Sequence, residues 1–439
     1  MELLVLALVV LFIIVATVKF KMHPIFSLTI AAVASGFFLG LSPAEIMKTI
    51  GDGFGKTLSG IGLVIAFGTV IGIYLEKTGS TQVLASSILK IIGLKRSPLA
   101  INLAGYVISI PVFCDSGFII LSSLNKAISK RTGIPVMVFA ISLATGLYAA
   151  HVFVPPTPGP LAAAALLEAD LGLVLLMGLA VSIPVSLAGY FWAKLIGKSL
   201  KGDVKGDDVS DKEEAQLPIK PIQAFMPLLA PIALIAMKSI VNYPTHPLGE
   251  GVIFQLFDFL GNPIMALLVG VFFALSLGRN VPAEEKEGWV PEAFKQAGAI
   301  VLITGAGGAF GAILRTMDIA SMINLESSSG VGGLLIAFLI AAVLKTAQGS
   351  STVAIITTSA IIAPLLESFG LISATDKSLA VLAVGAGAMT VSHINDSYFW
   401  VVSQFSNITV KTALRGHTLG TLFQGVVGIL MVILLYFML

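Results

Sequence analysis

Residues 343–356 read VLKTAQGSSTVAII, and they place a run of polar side chains between two apolar segments. Those segments, 331–346 and 353–366, are each shorter than the roughly 20 residues that an α-helix needs to cross a membrane. Irregular backbone at membrane depth is tolerated only where protein or water surrounds it. The stretch therefore predicts a hairpin that enters the membrane, turns at QGSS and returns.

The composition of the whole chain is that of a membrane protein. It has 439 residues, of which 56% are hydrophobic and 11% are charged, against about 25% charged residues in a soluble domain. Ten apolar segments approach the length of a membrane crossing: 3–18, 24–41, 57–75, 134–150, 171–193, 222–241, 262–278, 297–314, 377–394 and 417–438. We expect an all-α polytopic membrane protein in the cell (cytoplasmic) membrane. The net charge of +2 gives no reason to expect a nucleic-acid partner.

The two halves of the chain have related sequences. A strongly polar stretch, 201–220, lacks apolar periodicity and predicts a cytoplasmic linker. Residues 23–45, HPIFSLTIAAVASGFFLGLSPAE, align without a gap with residues 262–284, NPIMALLVGVFFALSLGRNVPAE. This similarity indicates an internal duplication, with a first membrane repeat over 1–200 and a second over 221–439.

Positively charged residues predict how each half crosses the membrane. Cytoplasmic loops collect Lys and Arg, and most of the 26 Lys and Arg residues lie inside if residue 1 lies outside. That orientation requires residues 98–130 to form another hairpin, which enters from the cytoplasm. Each half then has about five transmembrane helices and one re-entrant hairpin. The two repeats are therefore inverted, with interrupted helices at the midplane, an architecture typical of secondary transporters.

Four polar clusters are predicted at membrane depth, two in each half. The hairpins turn at FCDSGF (113–118) and AQGSST (347–352), and the helices that follow them end in HVFVPPTPGP (151–160) and SHINDSYFW (392–400). Prolines remove backbone donors and break a helix. Helices that start at the hairpin turns present free N–H groups there, which suits an anion.

Ionisable side chains in these clusters are candidates for function, because a charge inside the bilayer costs roughly 2.5 to 3.5 kcal/mol. Asp115 either handles a proton or cation, or pairs with a distant cation or caps its own helix. Lys345 either attracts a carboxylate substrate or pairs with Asp396 or Asp115. His151 and His393 occupy equivalent helix ends and are either proton carriers or hydrogen-bonded core residues.

Three of these motifs, VFVPPTPGP (152–160), TAQGSSTVA (346–354) and SHINDSYFW (392–400), resemble the gluconate:proton symporter family, whose members import gluconate, related sugar acids and D-serine. The resemblance covers nearly the whole chain. It implies the fold of the ion-transporter superfamily, in which two hairpins from inverted repeats hold the substrate between their tips. It also implies a substrate site lined by Thr157, Ser350, Ser351, Thr352, Asn395 and Asp396. Asp115 stands where many members carry Glu.

We therefore expect proton-coupled uptake of gluconate or a related small hydroxy-carboxylate, such as glycerate or D-serine. The expected partners are this substrate, the proton and the lipid bilayer; no cofactor or metal is expected, and a homodimer is left open. The expected substrate-binding residues are Ser116, Gly117, Thr157, Ser350, Ser351, Thr352, Asn395 and Lys345. The expected proton-coupling residues are Asp115, Asp396, His151 and His393.

Three other functions use the same residues. A sodium-coupled carboxylate symporter of the same fold would coordinate the cation with unwound carbonyls near Asn395 and Ser350. An intramembrane hydrolase would use Asp115 and Asp396, or Ser350 with a histidine, but the sequence shows no soluble catalytic domain. A passive channel would give no concentrative uptake.

Overall fold

The structure is a computed structural model that describes residues 8–9, 11–13, 15–16, 19–199, 219–242, 251–316, 330–394 and 396–439. Within these ranges all regular secondary structure is helical. Three predictions fall wholly or mostly outside the described residues: the apolar segment 3–18, the linker 201–220 and the role of Asn395.

The first half of the chain contributes eight helices to the described part. They are α1 (Pro24–Phe38), α2 (Pro43–Lys77), α3 (Ser80–Ile92), α4 (Ser97–Ile108), α5 (Cys114–Thr132), α6 (Val136–Phe153), α7 (Pro158–Leu166) and α8 (Leu171–Ser199). A 3₁₀ turn, Leu94–Arg96, precedes α4.

The second half contributes nine longer helices to the described part. They are α9 (Pro221–Val241), α10 (Val252–Leu260), α11 (Pro263–Leu277), α12 (Trp289–Leu314), α13 (Val331–Gln348), α14 (Ser351–Ile362), α15 (Ala374–Met389), α16 (Ser397–Phe405) and α17 (Leu419–Met438). Short helices occupy Ala283–Lys286, Ala363–Leu365 and Val410–Ala413, and a π-helical turn, Leu414–Thr418, leads into α17.

Seven helical segments of the described chain are long and apolar enough to cross a membrane, or eight if α10 and α11, bent by 71°, count as one. The expectation of an all-α polytopic membrane protein is confirmed, but the count differs from the ten crossings expected. The segment 24–41 forms only the 15-residue α1, because the chain turns at Gly40, whose φ is 76°. Conversely, α13, expected as a short hairpin leg, has 18 residues and meets the length criterion by itself.

Corresponding helices in the two halves have corresponding bounds. α1 and α11 each have 15 residues and begin with proline, and each is preceded by a capping side chain, from His23 and Asn262, that accepts the N–H two residues later. α7 and α16 each have nine residues and follow the two predicted helix breaks. This order of elements is the one that an internal duplication predicts.

Helices α2 and α12, which correspond in the duplication, pack against each other in opposite directions. At one end, Lys77 Nζ lies 3.1 Å from Glu292 Oε2. At the other end, a Cβ on Gly308 would lie 2.8 Å from the carbonyl oxygen of Gly53, so small residues allow the two backbones to approach closely. Antiparallel packing of corresponding helices supports the prediction of inverted repeats.

Helices α6 and α15 form the centre of the bundle. Every residue of α6 from Met137 to Phe153 is buried, and so is every residue of α15 from Ser378 to Met389. A helix that is buried on all sides lies in the middle of its bundle. Both helices end in irregular segments, which begin at Val154 and Thr390, so these segments lie inside the molecule.

Candidate functional site

Both predicted hairpin turns are interruptions between helices. Residues 109–113 separate α4 from α5, and Gly349 and Ser350 separate α13 from α14. Gly349 makes the second turn possible because its φ of 87° lies in the left-handed region, which glycine adopts without a steric penalty. Its N–H donates to the carbonyl oxygen of Lys345 at 2.8 Å and closes the last turn of α13. The chain turns at the residues that the sequence indicates.

The helices that start at the interruptions begin with suitable capping residues. α7 begins with Pro158, and proline fits the first turn of a helix because no helical acceptor is available for an N–H there. Asp396 caps α16, with its Oδ1 accepting the N–H of Tyr398 at 3.1 Å. Ser350 caps α14 by accepting the N–H of Val353 at 3.3 Å.

A cavity of about 240 Å³, which we call the central cavity, lies between the two hairpin turns and the start of α16. It is lined by Phe113, Cys114, Asp115, Tyr148, His151, Ile300, Ile303, Ser350, Ser351, Thr352, Val353, Ile356, Asp396, Ser397 and Tyr398. Six of the expected site residues therefore come together: Asp115, His151, Ser350, Ser351, Thr352 and Asp396.

A smaller cavity of about 10 Å³ adjoins the central one and shares Phe113 and His151 with it. It also contacts Thr157 and Pro158, and its volume is that of about one water molecule. The first turns of α5, α7, α14 and α16 line one or other of these two cavities. Four positive helix-dipole ends therefore face the same region, which offsets negative charge there.

Lys345 lies behind the central cavity and does not line it. The side chain is 0% exposed, and its Nζ donates to Asp396 Oδ2 at 2.5 Å and to the carbonyl oxygen of Gly349. Its ammonium also lies 5.8 Å from the centre of the Tyr148 ring, a cation–π contact. The sequence left open whether Lys345 attracts a substrate or pairs with a carboxylate, and in the structure Lys345 pairs with Asp396.

The two carboxylates of the central cavity have different surroundings. Asp396 accepts hydrogen bonds from Lys345, from the Ser392 hydroxyl and from the Tyr398 N–H. Asp115 Oδ1 is buried and has no hydrogen-bond partner among the residues that the structure describes. One carboxylate of the cavity is thus neutralised by a cation, and the other is not.

Four further expected residues are described but do not line the central cavity. Thr157 lines the small cavity, and its hydroxyl donates to the carbonyl oxygen of Val154 at 2.5 Å. Ser116 is not among the residues that line either of these two cavities.

Gly117 and His393 are held by neighbouring helices. A Cβ on Gly117 would lie 2.7 Å from Leu147, so this glycine permits close packing of α5 on α6. His393 Nε2 lies 2.8 Å from the carbonyl oxygen of Thr346. The remaining expected residue, Asn395, lies outside the described part of the chain.

Two tyrosines of the central cavity were not expected from the sequence. The rings of Tyr148 and Tyr398 lie 5.3 Å apart, and the Tyr398 hydroxyl donates to the carbonyl oxygen of Ala144 at 2.9 Å. The Tyr148 hydroxyl donates to the carbonyl oxygen of Ala388 at 3.3 Å. Tyr148 precedes His151 by three residues and so shares its helix face, which is the sequence signal that could have found it.

A larger cavity of about 390 Å³, the outer cavity, lies on the side of the molecule that the positive-inside rule places outside. Glu168 forms two ion pairs in this cavity. Lys56 Nζ lies 2.8 Å from Glu168 Oε1, and Arg315 Nη1 lies 3.4 Å from the same oxygen. The hydrogen bond from Lys56 lowers the pKa of the Glu168 carboxyl below its ordinary value. The outer cavity therefore carries two cations, Lys56 of α2 and Arg315 after the end of α12.

An apolar layer separates the outer cavity from the central one. A Cβ on Gly307 would lie 3.4 Å from Ile356, 3.5 Å from Ala360 and 3.5 Å from Leu166. Ile356 lines the central cavity and Leu166 lines the outer cavity. We call Gly307, Ile356, Ala360 and Leu166 the septum.

Interrupted helices that meet around a buried polar cavity, within a bundle of membrane-crossing helices, are the arrangement of a secondary transporter. The sequence matches the family model described as GntP family permease over residues 1–438. The chain belongs to the GntP permease family. It is a multi-pass membrane transporter and not an enzyme, which removes the hydrolase alternative.

Relatives with named substrates match nearly the whole chain. The gluconate permease of Pseudomonas aeruginosa is 33% identical over 434 residues, which cover 96% of this chain and 94% of that protein. The D-serine transporter DsdX of Escherichia coli K12 is 32% identical over 433 residues, which cover 97% of this chain and 96% of that protein.

A solved transporter structure has a similar fold. The YdaH transporter of Alcanivorax borkumensis superposes with a TM-score of 0.65 over 90% of this chain and 89% of that chain, at 14% sequence identity. Identity at that level shows a shared fold alone.

Proposed function

We propose that the protein takes up a small hydroxy-carboxylate together with a proton. The observation that carries this proposal is the central cavity, in which the buried Asp115 Oδ1 has no hydrogen-bond partner among the described residues while Asp396 is paired with Lys345. Four helix N-termini face the same region. Such a site binds an anion best when one of its own carboxylates is protonated.

The substrate class follows from what the cavity and the named relatives have in common. The two relatives are described as a gluconate permease and a D-serine transporter, and both compounds combine a carboxylate with at least one hydroxyl. The central cavity offers backbone N–H groups for the first and side-chain hydroxyls, such as those of Thr352 and Ser397, for the second. A small hydroxy-carboxylate therefore matches both kinds of hydrogen-bonding group in the cavity.

The substrate carboxylate binds at the first turn of α14. The N–H groups of Ser351 and Thr352 lie where an α-helix has no internal acceptor, and the helix dipole favours negative charge there. Thr157 borders the small cavity beside the central one, so its contact with a substrate hydroxyl runs through a bound water.

Charge balance couples the substrate to the proton. The described lining of the central cavity has two carboxylates, and Lys345 neutralises one of them from behind. A substrate anion would raise the negative charge of the cavity unless Asp115 takes up a proton. Since isolated charges are costly in the membrane interior, anion and proton enter together.

Lys345 pairs with Asp396 and holds it in position rather than touching the substrate in this conformation. Both side chains are nearly inaccessible, at 0% and 5% exposed, so neither charge is compensated by bulk water. A direct contact between Lys345 and the substrate carboxylate would first require the Lys345–Asp396 pair to separate.

Alternating access would connect the central cavity to each side of the membrane in turn. The septum closes the central cavity toward the outer cavity, and the cations Lys56 and Arg315 attract an anion to the outer cavity. We propose that the inverted repeats, 1–200 and 221–439, move against each other to open this layer.

Transport assays on purified protein in proteoliposomes test the proposal. We expect radiolabelled gluconate or D-serine to accumulate when the outside is more acidic than the inside, with sodium replaced by choline. Accumulation that requires a sodium gradient would establish the sodium-coupled alternative instead. Equilibration without accumulation would indicate a channel.

Asp115→Asn separates the proton from the substrate. Asparagine mimics the protonated carboxyl, so substrate exchange across the membrane should persist while accumulation driven by the pH gradient is lost. Asp170→Asn is the matched control: Asp170 caps α8 by accepting the N–H of Leu173 at 2.8 Å, and asparagine caps equally well. An Asp115→Asn protein that still accumulates substrate would show that another group carries the proton.

A further inference from the structure

The outer cavity has the size and the lining of a small-molecule site, although the proposed function uses it only as an entrance. Its volume of about 390 Å³ lies within the range of roughly 300 to 1,000 Å³ that is usual for ligand pockets. Its polar lining residues are Thr49, Asp52, Lys56, Thr57, Glu168 and Arg315. The lining thus combines cations with groups that accept hydrogen bonds.

Two glycines keep part of the outer cavity wall bare. Gly60 and Gly311 both line the cavity. A Cβ on Gly60 would meet no atom of the described residues within 4 Å, and a Cβ on Gly311 would lie 3.9 Å from the nearest one, the carbonyl oxygen of Ala360. Close helix packing therefore requires neither glycine, and each leaves volume beside the cations that a ligand can fill.

Glu168 occupies the two cations of the outer cavity. A single oxygen, Oε1, lies 2.8 Å from Lys56 Nζ and 3.4 Å from Arg315 Nη1. The hydrogen bond from Lys56 and the positive charges of Arg315 and Lys377 lower the pKa of the Glu168 carboxyl, so this group is ionised at neutral pH. The two cations therefore already hold a carboxylate, which is the group that a carboxylate substrate would present.

The ion pairs of Glu168 are of a kind that exchanges readily. The side chains of Lys56, Arg315 and Glu168 are 73%, 41% and 45% exposed, and exposed ion pairs contribute little to stability. Arg315 has a second anchor, because its Nη2 donates to the carbonyl oxygen of Leu166 at 3.0 Å. Another carboxylate can therefore replace Glu168 while Arg315 stays in place.

Asp52 gives the outer cavity a preference among anions. It lines the cavity one helical turn before Lys56 on α2. Its carboxylate repels a simple anion but accepts hydrogen bonds from hydroxyl groups. The Thr57 hydroxyl donates to the carbonyl oxygen of Gly53 at 2.9 Å and so keeps its lone pairs for the same hydroxyl groups. A ligand with a carboxylate at one end and hydroxyls at the other matches this lining.

We propose that the outer cavity is a first binding site for the hydroxy-carboxylate substrate, an inference that rests on the proposed uptake. The substrate carboxylate replaces Glu168 on Lys56 and Arg315, and the substrate hydroxyls donate to Asp52. Glu168 returns to the cations as the substrate passes the septum. The competing carboxylate of the protein itself thus keeps the affinity of the outer cavity low enough for the substrate to move on to the central cavity.

Protection of an introduced cysteine measures the occupancy of the outer cavity. The chain has one cysteine, Cys114, so Cys114→Ala/Gly60→Cys carries a single thiol, at a position with room for a side chain. In the purified protein in detergent, at constant ionic strength, gluconate should slow the labelling of this thiol by a maleimide. Hexanoate, a carboxylate of the same chain length without hydroxyls, should need a concentration about fivefold higher or more.

Further substitutions in this two-residue variant identify the groups that bind gluconate. Lys56→Gln should raise the half-protecting concentration of gluconate by about fivefold or more. Glu168→Gln, which removes the competing carboxylate, should lower it by about threefold. Lys48→Gln is the matched control, because Lys48 lies about two turns earlier on α2 and does not line the outer cavity. Ser350→Ala, which alters the central cavity, should leave the half-protecting concentration unchanged.

The outcomes separate the outer site from the proposed function. Labelling that gluconate does not slow, or that gluconate and hexanoate slow equally, would overturn the outer site while uptake by the wild type stands. An effect of Ser350→Ala as large as that of Lys56→Gln would assign the protection to the central cavity and also overturn it. A wild-type protein that accumulates no gluconate in proteoliposomes, although gluconate protects the cysteine, would refute the proposed uptake and leave the outer site in place.

Discussion

Replacing Lys345 by methionine removes the only cation beside the central cavity in the described residues and leaves Asp396 without its partner. Lys345 is 0% exposed, and its Nζ lies 2.5 Å from Asp396 Oδ2. Removal of one member of a buried ion pair costs about 3 to 5 kcal/mol, because the remaining charge is uncompensated. The Gly349 carbonyl also loses its donor, which adds about 1 kcal/mol.

The corresponding change in thermal stability can be measured. With an unfolding entropy of about 2.1 cal/mol/K per residue, a total loss of about 5 kcal/mol in a chain of 439 residues lowers Tm by about 5 °C. The assay is thermal unfolding of the purified protein in detergent. Uptake of labelled gluconate or D-serine by the same variant should be abolished, since Asp396 loses the cation that holds it in place.

A double variant distinguishes the ion pair from packing by the lysine stem. Asp396→Asn keeps the cap of α16, because asparagine also accepts the Tyr398 N–H. In Lys345→Met/Asp396→Asn both charges are gone, so the double variant should be more stable than either single variant and recover most of the wild-type Tm. Transport should stay absent. Additive losses in the double variant, or a wild-type Tm for Lys345→Met, would refute the buried-pair reasoning.

Three further predictions concern the septum, the cap of α14 and the outer cavity. Gly307→Leu places a larger side chain against Ile356, Ala360 and Leu166 in the septum and should block uptake. Gluconate binding to the detergent-solubilised protein, measured by calorimetry, should persist. Ser350→Ala removes the cap on the Val353 N–H and should lower stability by about 1 kcal/mol and weaken substrate binding, whereas Ser350→Asn should preserve stability. The Glu168 pKa is lowered by its bond to Lys56, so its stabilisation is present above the unfolded-state pKa and is lost as the pH falls through the folded-state value. Wild type and Glu168→Gln should accordingly differ in Tm at pH 6, and the difference should shrink as the pH falls through the lowered pKa of Glu168.

The interruptions of the helices could be predicted from sequence because their causes are local. Gly349, beside three hydroxyl residues, separates α13 from α14, and the prolines at 155–160 separate α6 from α7. Each cause acts on the backbone at its own position. The helix bounds were predicted less accurately than the interruptions. α13 continues past the predicted end at residue 346 to Gln348, because Gly349 can close its last turn in the left-handed conformation.

The partners of the charged residues could not be predicted in the same way. Lys345 and Asp396 lie on different helices, and nothing near either residue in the sequence distinguishes that pairing from one with Asp115. His417 was overlooked because its segment carries Lys411 and Arg415 and so looks like a cytoplasmic loop end. Only the fold brings its Nε2 to 3.0 Å from Ser392 Oγ.

The two predicted repeats differ in how their carboxylates are paired. Each half contributes one carboxylate to the central cavity, Asp115 from the start of α5 and Asp396 from the start of α16. Helix α13 carries Lys345 one turn before its end, but the corresponding helix α4 and its turn, residues 97–113, contain no charged residue. Two like charges in one cavity disfavour each other's ionised form, and a single lysine relieves only one of them. The difference in charge between the two hairpins therefore leaves Asp115 as the carboxylate without a paired lysine, which is the group that the proposed proton coupling assigns to the proton.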